Sequence, residues 1–370
     1  MNATGRAPVL VAAGGTGGHL FPAEALAAAL VKHGIAAHLA TDRRAERYGG
    51  AFEDASVHVV ASATVRGRDP IALSRTAIML GVGVVQAWSL IGRLKPAAVI
   101  GFGGYPTIPP VLAAAWRGVP TVIHDANAVI GRANRLLAPR VTAIATTFPG
   151  LFAGDSNLEV KATLTGNPVR PAVVAAAAAP FPETNDSLRV LIFGGSQGAR
   201  VMADVVPAAI GNLDPAIRGR LAVTQQARAE DMDRVRDAYG RLSVRAEIAP
   251  FFADLPERMA ASHLIVARSG ASTVAELSAI GRPSILVPLP HALDQDQFAN
   301  AGVLEKAGGA IRLIQSEFTP RRLADELAVL AAAPQRLAAM AAAARSLGRL
   351  DAADRLAGLV LKVAGIGLTP

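Results

Sequence analysis

Gly14-Gly15-Thr16-Gly17-Gly18-His19 places four glycines and an imidazole within six residues, directly after the apolar run Val9–Ala13. Glycines lack the Cβ that would keep an anion off the main chain, and they permit positive φ in a tight turn. A helix following such a loop adds free N–H groups and the positive end of its dipole. The chemistry suited to this stretch is phosphate binding. A βα turn alone needs no histidine, so His19 adds a group able to take a proton near neutral pH. A second cluster, Gly101-Phe102-Gly103-Gly104-Tyr105-Pro106, also follows an apolar run, as does His124-Asp125-Ala126-Asn127. In an open parallel sheet all three lie at the carboxyl edge, where ligands bind.

The second half offers a matching set. Gly194-Gly195-Ser196-Gln197-Gly198-Ala199 follows the apolar run at 189–193. Arg268-Ser269-Gly270-Ala271-Ser272-Thr273-Val274-Ala275-Glu276 follows another, with a helix expected from about residue 272. Ser269 or Ser272 is placed to cap that helix, and Glu276 stands one turn past Thr273. One reading is a capped helix with Glu276 in solvent; the other sets N–H groups on phosphate and the carboxylate on a pair of sugar hydroxyls. Asp294-x-Asp296, after His291, resembles an acidic pair for a divalent cation. Neither a third carboxylate nor a histidine cluster supports it, so no metal is expected.

The elements needed to position these residues are legible as alternation. Strands fit at 9–13, 36–41, 57–61, 98–101, 121–124 and 143–146, with helices at 22–33, 43–52, 70–94, 107–117 and 129–137. Proline, glycine and polar residues from Thr165 to Asp186 read as a domain connection. Strands then fit at 189–193, 221–224, 243–248, 264–267, 284–288 and 310–313, with a helix from about residue 199. Near-continuous apolar strands between helices indicate an α/β chain with two parallel sheets, each opening on a glycine loop. A dehydrogenase fingerprint fits poorly, because the third glycine position of G-x-G-x-x-G is Leu20.

The 370 residues suffice for two cores, and the absence of cysteine excludes disulfides and thiolate chemistry. No signal-peptide pattern precedes the first strand, so a cytosolic location is expected. The net charge of +8 favours anionic partners, but with 4% aromatic residues nucleic acid is a poor candidate. Between Arg66 and Arg140 nine basic residues face two acids, Asp69 and Asp125. That segment contains an uncharged run, Thr76–Gly92, and Ile71 just before it with Ile78, Val82, Val85 and Trp88 within it recur at helical spacing. Packing on a core explains the spacing. A membrane-surface patch, with Arg66, Arg68, Arg75, Arg93 and Lys95 meeting head groups, explains the basic flanks as well.

Taken in order, these stretches together with Gly166-Asn167-Pro168-Val169-Arg170, Gln297 and Asn300-Ala301 resemble the MurG family of peptidoglycan N-acetylglucosaminyltransferases over nearly the whole chain. The resemblance implies a GT-B fold, two Rossmann-like domains facing a cleft. It places an acceptor-binding, membrane-associated domain at 1–167, a UDP-GlcNAc-binding domain at 168–346, and a terminal helix at about 347–370 returning to the first. It implies inverting transfer of GlcNAc from UDP-GlcNAc to the MurNAc 4-hydroxyl of lipid I, the undecaprenyl-diphosphate intermediate, with no cofactor. The location implied is the cytoplasmic face of the inner membrane.

Carried onto this chain, the resemblance gives His19, Asp125 and Asn127 to the reaction centre. Gly14, Gly15, Thr16, Gly17, Gly18, Gly103, Gly104 and Tyr105 would cradle the acceptor diphosphate. Arg170, Ser196, Gln197, Phe252, Ala271, Ser272, Thr273, Glu276 and Gln297 would hold the donor, which Thr16 to His19 and Asn127 would also meet. Two departures stand out: the family often has His-Glu-Gln-Asn at positions 124–127, and a histidine or glutamine where Asp296 stands here. Another UDP-sugar enzyme of the same fold, such as a 2-epimerase, and a non-catalytic sugar-nucleotide binder or membrane adaptor are the rival readings.

Overall fold

The computed structural model describes residues 6–14, 17–42, 52, 57–63, 70–183, 187–195 and 198–367. Gly15, Thr16, Arg66, Arg68, Ser196, Gln197 and nearly all of the helix expected at 43–52 lie outside the described residues, as does the Ile71 side chain.

The chain forms two compact units, Met1–Arg170 with Leu350–Pro370, and Pro171–Arg349. The first runs β1 (Val9–Ala12), α1 (Gly17–Lys32), β2 (Ala37–Thr41), β3 (Val57–Val59), α2 (Pro70–Leu94), β4 (Ala98–Gly101) and α3 (Ile108–Trp116). It continues with β5 (Thr121–Asp125), α4 (Arg132–Leu137), β6 (Ala143–Thr146), α5 (Ser156–Glu159) and β7 (Ala162–Leu164). The second opens with α6 (Pro171–Ala176), β8 (Leu188–Phe193), α7 (Arg200–Gly211), α8 (Pro215–Arg218), β9 (Leu221–Gln226) and α9 (Met232–Arg241). Then come β10 (Arg245–Ala249), α10 (Leu255–Ala261), β11 (Leu264–Ala267), α11 (Ala271–Ile280) and β12 (Ser284–Leu286). It closes with α12 (Asp296–Ala307), β13 (Ala310–Arg312), α13 (Pro320–Ala331) and α14 (Pro334–Ser346); α15 (Ala352–Val363) belongs to the first unit.

Both sheets are parallel and share the topology of six strands, to which the first adds β7 at its edge. Strand order is β3-β2-β1-β4-β5-β6-β7 in the first unit and β10-β9-β8-β11-β12-β13 in the second. β1 and β8, each third from one edge of its sheet, feed a glycine loop, as β4 beside β1 does in the first unit. Alternation along β1 sends Val9 and Val11 to one face, packed with Leu26, Leu30, Leu356 and Val360 of α1 and α15. Leu10 and Ala12 go to the other, against Ala87, Leu90 and Val111 of α2 and α3. Both faces are covered, so the strands read as unbroken apolar runs.

The first helix and the far edge of the first sheet differ from the sequence reading. Helix α1 begins at Gly17 rather than near residue 22, which puts Gly17, Gly18 and His19 in its first turn. Pro22 sits inside it, and the N–H that proline lacks would have met only the Gly18 carbonyl. Strand β7 is not announced by the sequence: at three residues, on a sheet edge and partly exposed, it lacks an apolar run to betray it.

Candidate active site

The first site is built around His19. Its imidazole is half-buried in the opening turn of α1. A Cβ placed on Gly14 would lie 3.3 Å from His19 Cδ2, one on Gly103 3.5 Å from Cε1, and one on Gly104 3.3 Å from Nε2. Gly103 and Gly104 have φ of +87° and +76°, backbone that favours glycine. The two glycine loops of this unit therefore converge on one ring. His19 itself belongs to the first turn of α1, and the opening N–H groups of a helix lack an intrahelical acceptor. Tyr105 follows in a short 3-10 turn and packs partly against the apolar core.

The third stretch closes over the same edge. Asp125, 2% exposed at the end of β5, accepts from the Asn127 N–H at 3.1 Å through Oδ1. Its Oδ2 accepts from the Gly131 N–H at 2.9 Å and from Asn134 Nδ2 at 3.1 Å. The carboxylate thus ties down the loop that presents Asn127. Asn134, which the sequence reading passed over, also donates to the His124 carbonyl at 3.0 Å, while its Oδ1 is buried with no hydrogen-bond partner. His124 is fully buried. Its Nε2 donates to the Gly166 carbonyl at 3.0 Å, because a carbonyl only accepts. Burial, opposed by that hydrogen bond and aided by nearby His19, pushes its pKa down to about 4, so the ring is neutral at pH 7. Asn167 stands beside Gly166 with both amide atoms buried and unpartnered. Arg170 lies in this unit with its guanidinium 4.6 Å over the Phe21 ring of α1. Burial raises the pKa of Glu24 on the same helix, and the charge of Arg170 partly offsets this.

The second unit repeats the loop with different supports. A Cβ on Gly194 would collide with the Ala199 backbone, and Gly195 and Gly198 take φ of +88° and +67°. Gln226 Oε1 accepts from the Gly194 N–H at 3.1 Å while its Nε2 donates to the Pro250 carbonyl at 3.1 Å. One side chain thus joins the glycine loop to the segment holding Phe251 and Phe252. Phe252 is buried beneath Arg258, whose guanidinium lies 4.4 Å from the ring, and Phe251 is exposed.

At the end of β11, neither serine caps α11, contrary to the sequence reading. The N-cap is Gly270, with no side-chain hydrogen bond. Ser269 Oγ instead donates to the Gln297 carbonyl at 2.8 Å, and Ser272 Oγ is buried without a partner. The N–H groups of Ala271 to Thr273 consequently have no side-chain cap. Glu276, expected in solvent by one reading, is 6% exposed. Arg268 is engaged by the carbonyls of Val287 and Pro288 at 3.0 and 3.1 Å and by Gln315 at 2.6 Å. Gln297 accepts from the Leu289 N–H at 3.0 Å and donates its own N–H to Asp296 Oδ1 at 2.7 Å. Burial and the neighbouring charge of Asp294 raise the Asp296 carboxyl, opposed by that hydrogen bond. Among the described residues no group of three or more His, Asp or Glu side chains is arranged to hold a metal ion.

On the outer side of the first unit, α2 is long and apolar enough from Ser74 to Leu94 to cross a membrane by length and composition. It presents one face to the core through Thr76, Gly83, Ala87, Leu90 and Ile91. Gly83 lets the helix approach the Ala61 carbonyl, where any Cβ would collide, and Gln86 accepts the Ala61 N–H at 2.8 Å. The opposite face leaves Ile78, Val82, Val85 and Trp88 exposed, Val85 at 70% and Trp88 at 40%. Arg75, Arg93 and Lys95 are exposed alongside, and the Arg117 guanidinium covers Trp88 at 4.2 Å.

The profile of the glycosyltransferase family 28 N-terminal domain matches residues 9–146, and that of the family's C-terminal domain matches residues 189–356. The UDP-N-acetylglucosamine–N-acetylmuramyl-(pentapeptide) pyrophosphoryl-undecaprenol N-acetylglucosamine transferase of Rhodopseudomonas palustris strain BisB18 is 65% identical over 360 residues, covering 97% of this chain and 96% of its own. The chain belongs to this transferase family. The crystal structure of Acinetobacter baumannii MurG superposes on the transferase with a TM-score of 0.79 at 27% identity, covering 96% of this chain and 99% of that one. A putative UDP-N-acetylglucosamine 2-epimerase from Listeria monocytogenes gives 0.69 at 15% identity, covering 96% of each, a likeness of fold alone. The transferase therefore has the GT-B fold of two Rossmann-like domains.

Proposed function

We propose that the transferase moves GlcNAc from UDP-GlcNAc to the MurNAc 4-hydroxyl of lipid I, forming lipid II with inversion at the anomeric carbon. The observation that carries this reading is the His19 imidazole enclosed by glycines from two phosphate-type loops, in a chain so close to transferases of that name. A sugar hydroxyl is a weak nucleophile and needs a base within hydrogen-bond reach. His19 takes the hydroxyl proton as the acceptor oxygen bonds to C1 of GlcNAc. The bond from C1 to the diphosphate oxygen breaks, and UDP leaves with the electron pair. Asp125, whose oxygens both accept loop hydrogen bonds, holds the loop that places Asn127 rather than taking the proton.

The assignment of ligands follows the two edges. Gly14, Gly15, Thr16, Gly17, Gly18, Gly103, Gly104 and Tyr105 take the acceptor diphosphate. The uncapped start of α11 at Ala271, Ser272 and Thr273 takes donor phosphate, Glu276 the ribose hydroxyls, the Phe252 backbone the uracil, and Gln297 the GlcNAc hydroxyls. Arg170, Ser196 and Gln197 complete the donor set. Fixed N–H dipoles of this kind stabilise charge as it develops on leaving UDP. The outer face of α2, with Arg75, Arg93 and Lys95, rests on the anionic cytoplasmic leaflet, where the polyprenyl tail of the acceptor stays.

UDP release from UDP-GlcNAc, followed with and without a soluble lipid I analogue, tests the reading. Release that depends on the analogue is expected. Turnover without acceptor, yielding the 2-epimer, would replace transfer by epimerisation.

A further inference from the structure

The carboxyl edge of the second sheet carries a guanidinium that none of the roles above uses. Arg228 stands two residues past the end of β9, the strand paired with β8. It lies along the end of the glycine loop: a Cβ on Gly198 would approach its Cγ to 3.1 Å. Its polar contacts are long. Nη2 is 3.5 Å from the Gly198 carbonyl oxygen, and Nη1 is 3.9 Å from Glu230, a mostly exposed carboxylate. Nε is buried with no hydrogen-bond partner. Neighbouring Gln226 differs, since its amide oxygen and nitrogen both have backbone partners. Arg268 at the same edge differs too, held short by two carbonyls and Gln315. The glycine loop leads into α7, whose N-cap Ala199 makes no side-chain hydrogen bond, so the helix start is open to an anion.

We propose that Arg228 is a donor-diphosphate residue. Its guanidinium donates to the diphosphate oxygens of the nucleotide sugar and stays on UDP as the C1–O bond breaks and the electron pair passes to the leaving oxygen. Planar, permanently charged and rich in donors, an arginine suits two phosphate oxygens at once. Its methylene stem is already packed on the loop, so little rotamer freedom remains to be lost on binding. The ion pair to Glu230 is at the surface and weak, and a diphosphate displaces it readily. This inference rests on the placement of the donor in the second unit.

Calorimetric titration of the full chain with UDP and with uridine tests it, on wild type, Arg228→Met and Arg228→Lys. Methionine keeps the stem against Gly198 and removes the charge. The expected result is UDP affinity about tenfold or more weaker in Arg228→Met, partly restored in Arg228→Lys, with uridine affinity and melting temperature unchanged. UDP affinity equal to wild type overturns the proposal. Parallel loss of UDP and uridine affinity also overturns it, making Arg228 a prop for the loop. A wild-type chain that binds neither ligand overturns the donor placement and this inference with it.

Discussion

The two units order their first six strands alike, and β1 and β8, each third from one edge, feed a glycine loop, yet the two loops are supported in opposite ways. In the first, three glycines close on an imidazole, and a buried carboxylate, an asparagine and a neutral histidine hold the adjoining loop. In the second, the loop is tied by the amide of Gln226 and flanked by Arg228, and the nearby α11 begins without a side-chain cap. A histidine caged in backbone can take a proton. A glycine loop beside a guanidinium offers no such base and can only hold charge. On the proposed assignment one fold supplies a reactive edge and a binding edge, and the difference lies in a handful of side chains at the strand ends.

Single methyl groups should separate the two edges. Gly194→Ala forces a Cβ into the Ala199 backbone and is expected to abolish UDP binding. Gly104→Ala strains a residue at φ +76° and presses on His19 Nε2; it should lower turnover about 100-fold while UDP binding stays within about twofold. Calorimetry with UDP beside an acceptor-dependent assay reads both. Loss of UDP binding in Gly104→Ala would break the comparison.

A second difference appears on acidification. His124 titrates near 4 when folded and near 6.5 when unfolded, so below 6.5 the unfolded chain binds the extra proton. The stability that depends on neutral His124 is complete above pH 6.5 and falls as pH drops toward 4, by about 3 kcal/mol in all. The first unit should therefore lose protection first. Hydrogen exchange between pH 7 and 5 checks this, with His124→Asn expected to flatten the dependence around β5.

A smaller effect concerns the outer surface, where only the first unit is assigned a membrane. Trp88→Glu should weaken flotation with anionic vesicles about tenfold and leave UDP binding unchanged. Flotation equal to wild type would make α2 a core-packing helix with an incidental apolar face.

Much of this was legible in the sequence because the signals are local. Apolar runs ending in glycine named the central strands, and the spacing of Ile78, Val82, Val85 and Trp88 named the outer face of α2. The start of α1 was not legible, because glycine and histidine are weak helix formers and Pro22 reads as an N-terminal residue. Nor was the cap of α11, because Ser269 turns its hydroxyl to the Gln297 carbonyl, 28 residues away. Asn134, Gln226 and Arg228 act on partners in other loops, so no neighbouring residue announces them. The resemblance puts Asp125 at the reaction centre; only the positions of Asn127, Gly131 and Asn134 reveal the loop it holds together.

The division of labour between the edges is tested most directly by His19→Ala and Glu276→Ala, each measured for UDP affinity and for acceptor-dependent turnover at saturating donor. His19→Ala should keep UDP affinity and lose turnover by about 100-fold or more, while Glu276→Ala should weaken UDP binding and recover much of its turnover when donor is raised. Unchanged turnover in His19→Ala, or intact UDP affinity in Glu276→Ala, would contradict the account.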